Sequence, residues 1–315
     1  MSDKSYTFCS AWRIALIAAS LAVSACDAVN EAIDAINDIG NDAEVHYYVS
    51  IGTSLSVGVR PNGSGALLPT DDGYADQLLG IIKPTFDTTG TPPRELRLVK
   101  FGCPGETLDS LTNGGSCPYL AGSQLDAAVD FITDNPGRIH LVTIDMGGND
   151  FRNAGCFGAT VDPACATAAA QQIYTDLTPV LTTLSNAIGP ETTIIGMNYY
   201  NPYLASWLED LAGQAYAIAS AEAVAIATGY LRTAYMDAGL PMADVADAFS
   251  SDDFATMVAS SQPPPNNPLP LNVNNICELT YMCDPAPRGP DIHANPAGYS
   301  LIADTFADIY APPPP

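Results

Sequence analysis

Four short polar stretches of the 315-residue chain carry groups that could do chemistry together: Ser54 in IGTSLSVG, Gly105 in FGCPGET, Asn149 in MGGND and His293 in PDIHANPAGY. Acyl transfer requires a nucleophile, a base and hydrogen-bond donors for an oxyanion. A serine hydroxyl, an imidazole, a glycine N–H and an asparagine amide make such a set. Each stretch alone is ordinary turn chemistry, and Ser54 alone reads as a turn or helix N-cap residue. Position distinguishes them: the first three follow directly on apolar runs, where a parallel α/β sheet gathers its loops. Of the three histidines, His140 lies inside the apolar run RIHLVTI and His46 opens the first run, at the wrong end for Ser54. His293 sits in a loop ahead of the last helix, where it could reach a strand end or merely neighbour that helix's cap.

Those runs belong to a repeated alternation. Short apolar segments at 45–51, 96–101, 139–146 and 193–197 alternate with helical patterns at about 73–82, 123–134 and 166–188, and a further helical stretch covers about 203–239. Repeated βαβ order predicts a parallel sheet with helices on both faces, a three-layer α/β/α fold. The last helix starts at Asn295 as N-cap with Pro296 behind it, and Tyr299, Ile302, Ala303, Phe306, Ile309 and Tyr310 form its buried stripe. SQPPPNNPLPLN and the PPPP tail read as extended, non-helical chain.

The four stretches, in this order across roughly residues 45 to 310, resemble the blocks of GDSL-type esterases and lipases of the SGNH hydrolase family. The resemblance implies a flavodoxin-like parallel sheet and hydrolysis of carboxylic esters through an acyl-enzyme, with no cofactor. It implies Ser54 as nucleophile, His293 as general base, and an oxyanion hole made by the N–H groups of Ser54 and Gly105 and the Asn149 amide. MNYYNPY, after the fourth apolar run, is similar to the secreted, disulfide-bearing members. Two positions depart from the pattern. Thr53 stands where the family has Asp, a replacement expected to change local hydrogen bonding more than chemistry. Pro290 stands three residues before the histidine, where the family has its acid, and Asp291 only two before. Either Asp291 orients His293 in a triad, or a backbone carbonyl near Arg288–Pro290 does so in a Ser–His dyad. Competing readings are an acyltransferase using the same serine and a non-catalytic surface lipoprotein that binds a glycan or lipid in the same cleft. Lipid, glycan and short soluble esters all remain open as substrates.

Around this domain, Lys4 and Arg13 flank IALIAASLAVSA, too short to span a bilayer as a mature helix, so residues 1–25 read as a secretory signal peptide. It ends at VSAC, which resembles the bacterial lipoprotein signal box. Cys26 would then be lipidated and anchor the chain to a membrane; ordinary cleavage near Ala25 is the alternative. Residues 26–44, with Val29, Ile33, Ile36 and Ile39 at helical spacing, read as a tether to a hydrolase domain at 45–311. Six of the eight cysteines fall into close pairs: Cys103 with Cys117, Cys156 with Cys165, Cys277 with Cys283. Six cysteines allow about 15 connectivities; local disulfides in an oxidising compartment are the expectation, either rigidifying the substrate rim or simply stapling exported loops. The Pro-rich stretch from Gln262 to Pro290 is expected to wall the site. Zinc fits poorly, since no CxxC occurs, and no metal is expected. With 11 Lys and Arg against 35 Asp and Glu, nucleic acid is excluded as a partner and neutral esters are favoured. A monomer, secreted or held in the cell envelope, is the expected state.

Overall fold

The computed structural model describes residues 44–87, 94–115, 117–263 and 265–310. The segments read from sequence as a signal peptide and a tether, Cys26 included, lie up to Ala43 outside the described residues. Glu44, assigned to the tether from sequence, is instead the first residue of β1, paired with Arg94.

In chain order the elements that matter here are β1 (Glu44–Gly52), α1 (Tyr74–Asp87), β2 (Arg94–Lys100), α2 (Leu108–Asn113), α3 (Gln124–Asp134), β3 (Ile139–Asp145), α4 (Gly148–Asn153), α5 (Pro163–Ala187), β4 (Thr193–Met197), α6 (Leu211–Asp237), β5 (Met242–Ala243), α7 (Leu271–Leu279), β6 (Asp291–Ala294) and α8 (Pro296–Ala307). The first five strands form one parallel sheet in the order β2-β1-β3-β4-β5. This is the flavodoxin-like order, whose direction of winding reverses between β1 and β3, where ligands bind at the carboxyl ends of the strands.

β1 and β3 read as near-continuous apolar runs because both faces of the sheet are covered. Tyr47, Val49 and Ile51 of β1 pack with Leu125 of α3, Ile173 of α5 and Leu231 of α6. Tyr48 points the other way, into Leu78 of α1, Val273 of α7 and Phe306 of α8. Two helical layers therefore clamp the sheet, and each fully buried Leu, Ile or Phe contributes about 1.5–3 kcal/mol. Asn295 caps α8 as expected, its Oδ1 accepting from Gly298 N at 3.0 Å.

Three expectations are corrected. The helical stretch at 203–239 is broken: a 3-10 segment, Pro202–Leu208, ends before Asp210, which starts α6 by accepting from Ala212 N and Gly213 N at 2.9 Å. The Pro-rich stretch is extended only to Pro270; α7 then begins, because Leu271, Val273 and Ile276 supply an apolar helical face once the prolines stop. Among the described residues of 262–290, only Pro290 reaches the clefts beside Ser54, so these residues do not wall the site. The bridges Cys103–Cys117, Cys156–Cys165 and Cys277–Cys283 are formed, and none of their cysteines lines those clefts. Among the described residues no helix is long and apolar enough to cross a membrane.

Candidate active site

Ser54 follows the end of β1, and the backbone on both sides of it is held by side chains from other elements. Gly52 N donates to Gln124 Oε1 at 2.6 Å, and Gln124 Nε2 donates back to Gly52 O at 3.0 Å. The same amide donates to Glu106 Oε2 at 2.9 Å, while Glu106 Oε1 accepts from Ser110 Oγ. Thr53 N donates to Asp145 Oδ1 at 2.7 Å and Thr53 Oγ1 to Oδ2 at 3.3 Å. Gly52 has to be glycine: a Cβ there would lie 1.3 Å from Asp145 Oδ1. Past the serine, Ser56 Oγ donates to Thr53 O at 2.7 Å and Val59 N to Ser54 O at 2.9 Å. Gln124, Glu106 and Asp145 are at most 1% exposed, so these bonds form away from water, where an unpaired polar group would be costly.

Two further segments, carrying Gly105 and Asn149, border a cleft with Ser54. Asn149, in the first turn of α4, gives one amide hydrogen to Glu106 O at 2.9 Å, and an amide nitrogen has a second to offer. Its neighbour Asp150 accepts from Leu108 N at 3.0 Å, tying α4 to the start of α2 and so to the loop that carries Gly105. Among the described residues the N–H groups of Ser54 and Gly105 meet no protein acceptor.

His293 is not in a loop. It lies in β6, a short strand paired antiparallel with Thr280–Tyr281 and fastened by Tyr200 Oη–H donating to Ile292 O at 2.7 Å. Its Nδ1 is 2.7 Å from Asp291 Oδ1, which also accepts from His293 N at 3.0 Å. The carboxylate two residues back thus occupies the ring nitrogen for which a backbone carbonyl was the alternative. This leaves Nε2 as the nitrogen free to act as a base. Ser54, Asn149 and His293 border two adjoining clefts in common, and Gly105 and Asp291 border one of them.

Two carboxyls at this edge of the sheet are tuned in opposite directions. Burial raises the Asp291 pKa, but the hydrogen bond and charge of His293, its own backbone bond and Arg152 outweigh this and hold it below the usual carboxylate range. Burial pushes Asp145 up to about 8 despite the opposing bonds from Thr53 and Ser56. Asp291 is therefore ionised at neutral pH beside His293 Nδ1, while Asp145 serves the backbone. Among the described residues no group of three or more His, Cys, Asp or Glu could hold a metal ion.

The sequence reading placed Ser54, Gly105, Asn149, Asp291 and His293, and the fold brings all five to one edge of the sheet. Gln124, Glu106 and Asp145 were not foreseen. Gln124 follows the cap residue Ser123 and reads as ordinary first-turn chemistry. His46 and His140 lie at the opposite edge, buried against each other.

No family model and no curated protein matches the chain. Solved structures do resemble it. A lipase from a goat rumen metagenome aligns with 13% identity over 84% of this chain and 96% of its own, with a TM-score of 0.49. A chain described as a GDSL-like lipase from Parabacteroides merdae aligns with 12% identity over 85% and 96%, TM-score 0.49. A phospholipase A1 from Streptomyces albidoflavus aligns with 18% identity over 73% and 94%, TM-score 0.41. Each is a likeness of fold.

Proposed function

We propose that this chain is a serine ester hydrolase of the SGNH type, and that it acts through an acyl-enzyme on Ser54. The observation that carries the reading is one edge of the sheet on which Ser54 and His293 share a cleft while Asp291 holds His293 Nδ1 at 2.7 Å. In the first step the Ser54 Oγ–carbonyl bond forms as His293 Nε2 takes the hydroxyl proton, and the carbonyl oxygen becomes an oxyanion. The N–H groups of Ser54 and Gly105 and the second Asn149 hydrogen are the donors to that oxyanion, each worth about 3 kcal/mol in the transition state. Collapse breaks the ester C–O bond, and the proton passes from His293 to the departing alcohol. Water then attacks the acyl-enzyme with His293 again as base, releasing the acid and restoring Ser54.

Thr53 fits this reading without an Asp at its position, because Asp145 supplies the carboxyl from β3. Three disulfides support an exported protein, together with the sequence signal at residues 1–25. Membrane attachment through Cys26 is part of the same proposal.

The test is hydrolysis of p-nitrophenyl esters by the purified domain beside Ser54→Ala. Turnover by the wild type, with kcat lower by about 10⁴-fold or more in the variant, is expected. Equal turnover by both proteins, or none by either, contradicts it.

A further inference from the structure

Two clefts leave Ser54, and their walls differ in kind. One, about 860 Å³ including its open mouth, is bordered by Pro104, Gly105, Asp291 and Leu67, the last 48% exposed. The other, about 820 Å³ on the same measure, runs from Ser54 and His293 down between α5 and α6 to Ile173, Val224, Ala227 and Leu231. Ile173 and Leu231 are each 3% exposed and belong to the main core on that face of the sheet, so this cleft is a gap in the core itself. Gly147, at a left-handed φ of 105°, borders it. A Cβ there would come within 2.9 Å of Ile173 Cγ2 and 3.4 Å of Leu231 Cδ2, and any larger side chain would crowd them further.

The two-step reaction assigns the clefts. After the first step the acyl group stays bonded to Ser54 while the alcohol departs and water replaces it. Arg152 and Asn149 border both clefts and distinguish neither; the exchanging partner needs a way to solvent, and the group that stays gains most from the cleft that Ile173, Val224, Ala227 and Leu231 line. We propose that the cleft between α5 and α6 is the acyl subsite, and that the preferred substrates are esters of aliphatic acids longer than acetate. This rests on the reading of Ser54 as nucleophile. An acetyl group would leave Val224, Ala227 and Leu231 without an occupant. Each methylene laid against them is removed from water, a gain of about fourfold in transition-state binding when fully buried. Val224 of α6 borders this cleft, and a larger residue there would fill part of it.

The experiment measures kcat/KM for p-nitrophenyl acetate, butyrate, octanoate and dodecanoate with the wild type, Val224→Trp and Leu231→Ala. Active sites are counted by fluorophosphonate labelling of each protein. The expected result is a wild-type octanoate-to-acetate ratio of tenfold or more, lowered at least tenfold by Val224→Trp. If that variant fails to label, Leu231→Ala decides, with its dodecanoate-to-octanoate ratio rising severalfold as the cleft deepens. Wild-type preference for acetate, or ratios unchanged in a labelling-competent variant, overturns the acyl subsite and leaves the serine hydrolase standing. Absence of both turnover and labelling in the wild type overturns both.

Discussion

The two edges of the parallel sheet each bury a cluster of polar side chains, and they are used differently. At the carboxyl edge, Asp145, Glu106 and Gln124 are fully buried, and their bonds end on Gly52 and Thr53, beside Ser54, and on one another. At the amino edge, His46 and His140 are 5% and 4% exposed and meet through His140 Nε2 and His46 Nδ1 at 2.7 Å. Their rings pack on Phe86; among the described residues the outer nitrogens, His46 Nε2 and His140 Nδ1, have no hydrogen-bond partner, with Glu44 Oε2 standing 3.7 Å from His46 Nε2. Burial and a shifted pKa are common to both clusters. What separates them is where the bonds end: on the backbone next to the reacting atoms in one case, on core packing in the other. A perturbed titratable group is thus a pointer to a site only when its partners lead there.

Substitutions at the two edges break or sharpen this contrast. The largest effect is expected from Asp291→Asn, which keeps the shape but removes the charge on His293 Nδ1. A loss of about 10²–10⁴ in kcat is expected, the scale of the serine-protease case; near wild-type kcat would mean that His293 needs no carboxylate. Asn149→Ala removes one oxyanion donor and should lower kcat by about 10²–10³ with KM little changed. Gln124→Ala touches no reacting atom but releases Gly52 and Glu106 together. Steady-state kinetics should give a fall in kcat of about 10- to 100-fold, and Gln124→Glu, which cannot donate to Gly52 O or Glu106 Oε2, should not recover it. An unchanged kcat would reduce this cluster to the status of the histidine pair.

The smallest effect on activity belongs to the pair itself. The double variant His46→Leu, His140→Leu should keep kcat within about twofold. Its signature is in stability against pH. Burial, then the neighbouring His46 and Arg94, push the His140 pKa down to about 4, opposed by Glu44. Burial likewise lowers His46, which faces Glu44, Arg94 and Arg138. Above pH 6.5 folded and unfolded chains are both neutral at these rings, and nothing is lost. Below it the unfolded chain takes up protons that the fold refuses, so stability falls progressively toward pH 4, by about 3 kcal/mol for His140. Thermal unfolding at pH 7 and pH 4.5 should show a smaller drop for the double variant than for the wild type. An equal drop would show that the pair is not the sensor.

The strands and helices that the sequence announces are those with a long apolar period: β1, β3, α5 and the capped α8. β5 has two residues and β6 four, too few for a period to register. The break before α6 rests on one aspartate cap inside an otherwise helical pattern, and α7 hides behind prolines. Of the candidate site, the reacting residues are legible because each sits in a short motif at a strand end. Their supports are not, since the bond between Gly52 and Gln124 spans 72 residues of chain and that between Thr53 and Asp145 spans 92. Nothing local to Gln124 or Asp145 announces a partner so distant. Thr53 is the instructive case: a departure from the family pattern at one strand end is matched by a carboxyl at the end of the neighbouring strand.

The central claim is that Ser54 is acylated during turnover. Rapid acid quenching of the enzyme with p-nitrophenyl octanoate, followed by peptide mass spectrometry, tests it directly. The account predicts an octanoyl group on the peptide containing Ser54, absent from Ser54→Ala. Acylation of another residue, or ester cleavage by Ser54→Ala at the wild-type rate, would contradict it.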